Sequence, residues 1–127
     1  MRDSSTVTRI AIIGTGYVGL TSGACFAHLG HEVVCGDIDE KRIAQLSVGE
    51  VPFLEDGLGD LVLGGISSGR LRFVHGAKAA VTACEIAFLC VPTPQKDDGS
   101  ADLSFIESAT LDIAEVLPEG AILVNKS

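Results

Sequence analysis

The chain has 127 residues, 17 acidic and 9 basic, and a formal net charge of -8. With 46% hydrophobic and 5% aromatic residues, the composition predicts a single folded α/β domain and argues against a disordered chain. The negative charge argues against a nucleic-acid partner. No apolar run approaches the roughly 20 residues that span a bilayer, and residues 1–8 lack the apolar segment of a leader. The sequence therefore predicts a cytoplasmic protein without membrane contact.

The first predicted elements are a strand, a glycine loop and a helix. Residues 9–13 form a β-branched apolar run, typical of a strand buried on both faces of a parallel sheet. The helix over residues 17–29 has two adjacent apolar stripes, and Gly30 is typical of the position after a helix end. The first stripe is Val18, Cys25 and Leu29, and the second is Leu20, Ala24 and Ala27.

A second strand over residues 33–37 carries its only acid, Asp37, at its carboxyl end. Asp39 is placed to cap a short helix that continues to Leu46. The glycine-rich stretch 48–70 predicts a weaker helix that is interrupted at Gly64 and Gly65.

The remaining chain continues the alternation of strands and helices. A polar loop covers residues 95–101, and Asp102 is placed to cap a helix that lasts until Pro118. The other predicted elements are a strand at 71–74, a helix at 77–84, and strands at 86–90 and 121–124. This order predicts right-handed crossovers and a doubly wound parallel sheet of the Rossmann type, in one domain over residues 1–127.

The loop after the first strand reads Gly14-Thr15-Gly16-Tyr17-Val18-Gly19, a G-x-G-x-x-G motif. Such a motif alone is weak evidence, but here it follows a buried strand and opens a helix, as in dinucleotide-binding domains. Gly14 permits the tight turn, Gly16 lets the backbone approach a pyrophosphate, and Gly19 allows close packing of helix on sheet. The free N–H groups of the first helical turn would face the phosphates, so an acidic chain can still bind a dianion there.

Asp37 completes this pattern because it lies about 20 residues beyond the loop, where a carboxylate accepts hydrogen bonds from an adenosine ribose. A 2′-phosphate would be repelled there, so the predicted cofactor is NAD and not NADP. The ends of the first and fourth strands meet in a doubly wound sheet, which places Val91, Pro92 and Thr93 opposite the glycine loop. These three residues either contact the cofactor or merely end the strand. Arg42 either lies over the adenine or is solvated.

The four cysteines, Cys25, Cys35, Cys84 and Cys90, are widely spaced and lie in apolar segments. They lack the paired spacing of zinc or redox sites. We therefore expect four buried, reduced thiols and no metal site.

Several segments in the same order resemble the nucleotide-sugar dehydrogenases, above all the UDP-glucose 6-dehydrogenases. They are the glycine loop, Leu29-Gly30-His31-Glu32-Val33, Asp37-Ile38-Asp39, Gly69-Arg70-Leu71-Arg72-Phe73, Val91-Pro92-Thr93-Pro94 and Asp98-Gly99-Ser100-Ala101-Asp102-Leu103. The resemblance implies that the glycine loop holds the pyrophosphate, Asp37 the ribose, Arg42 the adenine side and residues 91–95 the nicotinamide half. The chain departs from the family at Phe53-Leu54-Glu55-Asp56-Gly57-Leu58, where an Ile-Tyr-Glu-Pro-Gly-Leu sequence is usual.

In that family, UDP-glucose is oxidised twice to UDP-glucuronate with two NAD, through a thioester on a catalytic cysteine. The resemblance places that cysteine and the UDP-sugar pocket beyond position 127, so none of the four cysteines is expected to be catalytic, and the chain alone is expected to be inactive. It implies a homo-oligomer for the whole enzyme. The alternatives are a UDP-N-acetylmannosamine dehydrogenase, a GDP-mannose dehydrogenase, or an NAD-sensing module without catalytic activity.

Overall fold

A computed structural model describes residues 7–126 of the chain. The amino-terminal residues 1–6, on which the expectation of a chain without a leader partly rests, and Ser127 lie outside the described residues. The described part contains five strands and five helices. In chain order they are β1 (Arg9–Ile13), α1 (Tyr17–His28), β2 (Glu32–Asp37), α2 (Glu40–Ser47), α3 (Leu58–Ser68), β3 (Leu71–His75), α4 (Ala77–Val81), β4 (Ile86–Leu89), α5 (Ser104–Ala114) and β5 (Ile122–Asn125).

The five strands form one parallel sheet in the order β3-β2-β1-β4-β5. The central strand β1 pairs with β2 on one side, Ile12 opposite Cys35, and with β4 on the other, Ile12 opposite Phe88. The chain therefore winds outward from β1 in both directions, which confirms the predicted Rossmann-type sheet. The switch in direction lies beside β1, where ligands bind in such sheets.

Both faces of the sheet are covered, because successive side chains of a strand point to opposite faces. Ile10 and Ile12 of β1 pack with buried residues of α1, α2 and α3, including Leu20, Leu46 and Val62. On the other face, Ala11 and Ile13 pack with α4 and α5 through residues such as Val81 and Ile113. A strand that is buried on both faces explains the continuous apolar run at residues 9–13.

Helix α1 buries a different face from the first of the two predicted stripes. Val18 and Leu29 are exposed by 44% and 59%, whereas Leu20, Ala24 and Ala27 are buried. The buried face also includes Gly19 and Gly23. These glycines let the helix approach the strands closely, so its packed side consists of Leu20 and small residues. The predicted end is confirmed, since Gly30 follows the helix with a φ of 100°.

Helix α3 is continuous, contrary to the predicted interruption at Gly64 and Gly65. A β-carbon on Gly65 would lie 2.7 Å from the β-carbon of Leu71, so this glycine lets the helix pack directly on β3. Gly64 has no atoms within 4 Å of such a β-carbon. Tertiary packing of Leu58 and Val62 in the core thus outweighs the low helix propensity of the glycine pair.

The remaining element boundaries differ from the predictions by a few residues. Helix α4 ends at Val81 and β4 at Leu89, both earlier than predicted, and α5 ends at Ala114. Asp39 caps α2 by accepting the backbone N–H of Arg42 at 3.1 Å, as predicted. Asp102 accepts the N–H of Ser104 at 2.9 Å from just before α5. Across residues 7–126, none of the helices is sufficiently long and apolar to traverse a bilayer.

Two glycine substitutions should shift stability in opposite directions. Gly64→Ala should raise the free energy of unfolding by about 0.5–1 kcal/mol, because it removes the entropic cost of glycine inside an exposed part of a helix. Gly23→Ala should lower it by about 1–3 kcal/mol, because the new methyl group would lie 2.9 Å from Sγ of Cys35 and close to Ile12. Urea unfolding of the two variants measures both effects. Equal effects of the same sign would contradict the close packing of α1.

Candidate functional site

A cleft of about 510 Å³ lies at the carboxyl ends of β1, β2 and β4. Its lining comes from the glycine loop, the turn between β2 and α2, residues 91–93 and one face of α5. All of the predicted site residues except Gly19 line this cleft: Gly14, Thr15, Gly16, Tyr17, Val18, Asp37, Arg42, Val91, Pro92 and Thr93. The fold therefore brings together segments that are about 80 residues apart in the sequence.

The glycine loop turns sharply against the ends of its two neighbouring strands. Gly14 has a φ of 101°, and its N–H donates to the carbonyl of Gly36 at 2.8 Å. A β-carbon there would lie 2.7 Å from the carbonyl oxygen of Cys90. Only glycine fits this position without a shift of the backbone.

Gly16 and Gly19 differ in what surrounds them. A β-carbon on Gly16 would meet no atom within 4 Å, so this position is open toward the cleft. A β-carbon on Gly19 would collide with the carbonyl of Gly14, so Gly19 packs α1 against the loop. The first N–H groups of a helix have no acceptor within the helix. At the start of α1 no side chain caps them, and the first turn holds no acidic residue. This opening fits an anionic group such as a pyrophosphate.

Asp37 ends β2 at the edge of the cleft, and both of its carboxylate oxygens accept hydrogen bonds. Oδ2 accepts from the backbone N–H of Thr15 at 2.8 Å and from the Thr15 hydroxyl at 2.6 Å. Oδ1 accepts from the N–H of Asp39 at 2.9 Å. Burial by itself raises the pKa of Asp37, but these hydrogen bonds and the charge of Arg42 outweigh it and hold the pKa below its ordinary value. Asp37 is therefore a stable anion at neutral pH.

Arg42 is fixed against the glycine loop. Its Nη1 donates to the carbonyl of Thr15 at 3.2 Å, and its Cζ lies 5.7 Å from the centre of the Phe53 ring. The side chain is half-buried and lines the cleft. The guanidinium thus places a positive charge at the glycine loop, where it helps to lower the pKa of Asp37.

The loop before α3 reaches the glycine loop through Tyr17. The hydroxyl of Tyr17 donates to the Glu55 carboxylate at 3.0 Å, and its ring meets Phe53 edge-on at 6.0 Å. The hydrogen bond to Glu55 and that negative charge raise the pKa of Tyr17. Phe53 and Glu55 fall in the segment where the chain departs from the resembled sequences, and neither was predicted to belong to the site.

The far wall of the cleft was not predicted from the sequence. Phe105, Ser108, Ala109 and Asp112 of α5 line it, together with Lys126 after β5. The helical spacing of three, four and seven residues was the available signal, because it places the four α5 residues on one face. Ile106 and Ile113 of the same helix pack with the core instead.

Comparison with known proteins identifies this domain. The profile of the "UDP-glucose/GDP-mannose dehydrogenase family, NAD binding domain" matches residues 8–127. The chain belongs to this family. It is 47% identical over 120 residues to a UDP-glucose 6-dehydrogenase of Rhizobium meliloti. The matched residues make up 94% of this chain and 28% of that protein. The chain thus spans about a quarter of the length of the curated relatives it matches.

Two solved structures of nucleotide-sugar dehydrogenases share the fold of this UDP-glucose/GDP-mannose dehydrogenase family domain. A UDP-glucose dehydrogenase from Pyrobaculum islandicum matches with a TM-score of 0.93 and 34% identity, over 100% of this chain and 30% of that one. A ternary complex of GDP-mannose dehydrogenase from Pseudomonas aeruginosa matches with a TM-score of 0.88 and 35% identity, over 94% and 28%. The family resemblance, the fold and NAD as the cofactor, all predicted from the sequence, are confirmed.

The cysteines of the family domain depart from the expectation at one position. Cys35, Cys84 and Cys90 are buried, and burial raises the pKa of each thiol. Cys25 is exposed, so the expectation of four buried thiols is wrong there. The reason is its place on α1, because the buried face of that helix consists of its small residues and Leu20.

The low pKa of Asp37 makes part of the stability depend on pH. A carboxyl whose pKa is lower in the folded state stabilises the fold above its unfolded pKa, and this contribution is lost as the pH falls through the folded pKa. The difference in unfolding free energy between the wild type and Asp37→Asn should therefore shrink as the pH falls from about 6 to about 2. Asp98 and Asp102, whose pKa values are also lowered, occur in both proteins and cancel. A difference independent of pH would contradict the assignment.

Proposed function

We propose that the cleft binds NAD along the path from Asp37 across the glycine loop to residues 91–93. The observation that carries this proposal is the pairing of an open Gly16 with the uncapped start of α1, beside a carboxylate whose Oδ1 faces the turn after β2. Gly16, Tyr17 and Val18 would hold the pyrophosphate by their backbone. Asp37 would accept from the adenosine ribose, Arg42 would lie on the adenine side, and Val91, Pro92 and Thr93 would face the nicotinamide half.

We further propose that the whole protein is a UDP-glucose 6-dehydrogenase, which converts UDP-glucose to UDP-glucuronate with two NAD. The support is the 47% identity to a relative of that name. When bound, NAD would accept hydride from the sugar carbon that is being oxidised. The role of this domain would be to bind and orient NAD. In this proposal residues 1–127 are the cofactor domain, and the sugar is held by other parts of the protein. A homo-oligomer and a cytoplasmic location remain predictions.

A GDP-mannose dehydrogenase remains the second candidate, because a solved enzyme of that name matches this chain at 35% identity. Turnover of the whole protein on UDP-glucose, UDP-N-acetylmannosamine and GDP-mannose would distinguish the candidates. Turnover on none of them would favour the NAD-sensing module.

The cofactor site is tested by titration calorimetry of the chain with NAD and NADP. The wild type should bind NAD measurably and prefer it to NADP. Asp37→Ala should weaken NAD binding by about 1.5–3 kcal/mol, the scale of hydrogen bonds to a charged group, and should narrow the gap to NADP. An unchanged preference in this variant would remove Asp37 from the ribose site.

Gly16→Ala gives the matching test at the pyrophosphate. Its methyl group meets no protein atom, and the φ of Gly16, -70°, suits alanine. The variant should therefore fold with unchanged stability and bind NAD more weakly, because the methyl group stands where the phosphates would approach. NAD affinity equal to that of the wild type would place the pyrophosphate elsewhere.

The chain by itself should not oxidise UDP-glucose. Capture of an aldehyde needs a thiolate held beside the reacting carbon. Cys90 lines the cleft, but it is buried and burial raises the pKa of its thiol. Cys25 is exposed but does not line the cleft. NADH absorbance should stay flat when the chain is mixed with UDP-glucose and NAD. Turnover that survives purification and is lost in Cys90→Ala would show that this thiol reacts.

A further inference from the structure

Thr15, the second residue of the glycine loop, is tied to the protein at three of its polar atoms. Its N–H and its hydroxyl both donate to Oδ2 of Asp37, at 2.8 and 2.6 Å. Its carbonyl accepts from Nη1 of Arg42 at 3.2 Å. The residue is completely buried, the one polar residue in the buried core of the described chain. Neither donor of Thr15 is therefore left for a phosphate.

These hydrogen bonds fix the Asp37 carboxylate. Its Oδ2 is satisfied from the side of the glycine loop and its Oδ1 from the N–H of Asp39 at 2.9 Å. Each oxygen of a carboxylate accepts about two hydrogen bonds, so Oδ1 keeps capacity for one further donor. A carboxylate that is held in its binding orientation loses less conformational entropy when a ligand arrives.

We propose that Thr15 is a positioning residue whose hydroxyl holds Asp37 with Oδ1 presented to the adenosine ribose, and that it thereby sets the preference for NAD over NADP. This inference rests on the proposed binding of NAD in the cleft. The preference follows because a held carboxylate cannot turn away from a 2′-phosphate. The negative charge then stays where the phosphate would lie.

The charged and titratable groups around Asp37 are compatible with this role. Arg42 of α2 supplies a positive charge, but its guanidinium is engaged with the Thr15 carbonyl and the Phe53 ring. Asp39 adds a second negative charge at the same turn. His75 of β3 lies opposite Asp37 of β2 in the register of the sheet, and its Nε2 lies 3.1 Å from the carbonyl oxygen of Ile38. Across residues 7–126, the hydroxyl of Thr15 is thus the one side-chain donor to this carboxylate, beside the backbone N–H groups of Thr15 and Asp39.

Variants at Thr15 separate its hydroxyl from its bulk. Thr15→Val replaces the hydroxyl with a methyl group and keeps the backbone N–H, whereas Thr15→Ser keeps the hydroxyl. Thr21→Val in α1 is the matched control, because the Thr21 hydroxyl oxygen is buried without a hydrogen-bond partner among the described residues. If Thr15→Val does not fold by circular dichroism, Thr15→Ala removes the hydroxyl without adding an apolar group beside Asp37.

Two measurements are made on each variant of the chain. Calorimetry gives the affinities for NAD and NADP, and a carbon-13 NMR titration without cofactor gives the pKa of the Asp37 carboxyl. Thr15→Val should bind NAD roughly ten-fold more weakly, with a smaller change for NADP, the scale expected for one hydrogen bond to a charged group. The pKa of Asp37 should rise in this variant. Thr15→Ser and Thr21→Val should match the wild type in both measurements.

The proposal is overturned if Thr15→Val is folded and keeps both the NAD/NADP ratio and the pKa of Asp37. It is also overturned if Thr15→Ser loses as much affinity as Thr15→Val, since the methyl group would then be the part that matters. A wild-type chain that binds neither dinucleotide would contradict both the proposed binding of NAD and the preference for NAD over NADP. The NMR titration would then still decide whether the Thr15 hydroxyl holds Asp37, because it needs no cofactor.

Discussion

The approach of Gly14 to the ends of β2 and β4 is the contact on which the cleft depends. Its N–H donates to the Gly36 carbonyl, and its α-carbon faces the Cys90 carbonyl at a distance that admits no side chain. This contact directs the next residue, Thr15, toward Asp37 and starts α1 at Tyr17. A bulkier residue at position 14 would separate the strand ends, and the carboxylate, the helix start and residues 91–93 would no longer surround one space.

The parts of the fold that could be predicted from the sequence are those specified by local pattern. The run at residues 9–13 is buried on both faces, and the alternation of strands and helices requires crossovers of one hand, so the parallel sheet followed. The predictions were wrong where packing between elements decides which face of a helix is buried or whether a helix continues. Gly65 rests on Leu71 and Gly23 lies over Cys35, and in both helices close contact with the sheet outweighs what the sequence indicates locally.

The site residues that could be predicted are those that a motif along the chain identifies. The glycine loop and Asp37 follow from spacing along the chain, and the structure places them together. The position of Phe53 beside the site was not predictable, because it depends on a cation contact with Arg42 and a ring contact with Tyr17 across the fold. The Thr15 hydroxyl was likewise hidden. Sequence spacing places Thr15 in the glycine loop, but it does not show that both of its donors are directed to Asp37.

The charge of the chain and the chemistry of its cleft are reconciled by the same geometry. The net charge is -8, and Asp37, Asp39 and Asp112 line the cleft beside Arg42 and Lys126. A dianionic pyrophosphate can approach such a surface only where donors are concentrated and acids are absent, and the start of α1 meets both conditions. The start of α1 can therefore accept a pyrophosphate although the chain as a whole is acidic.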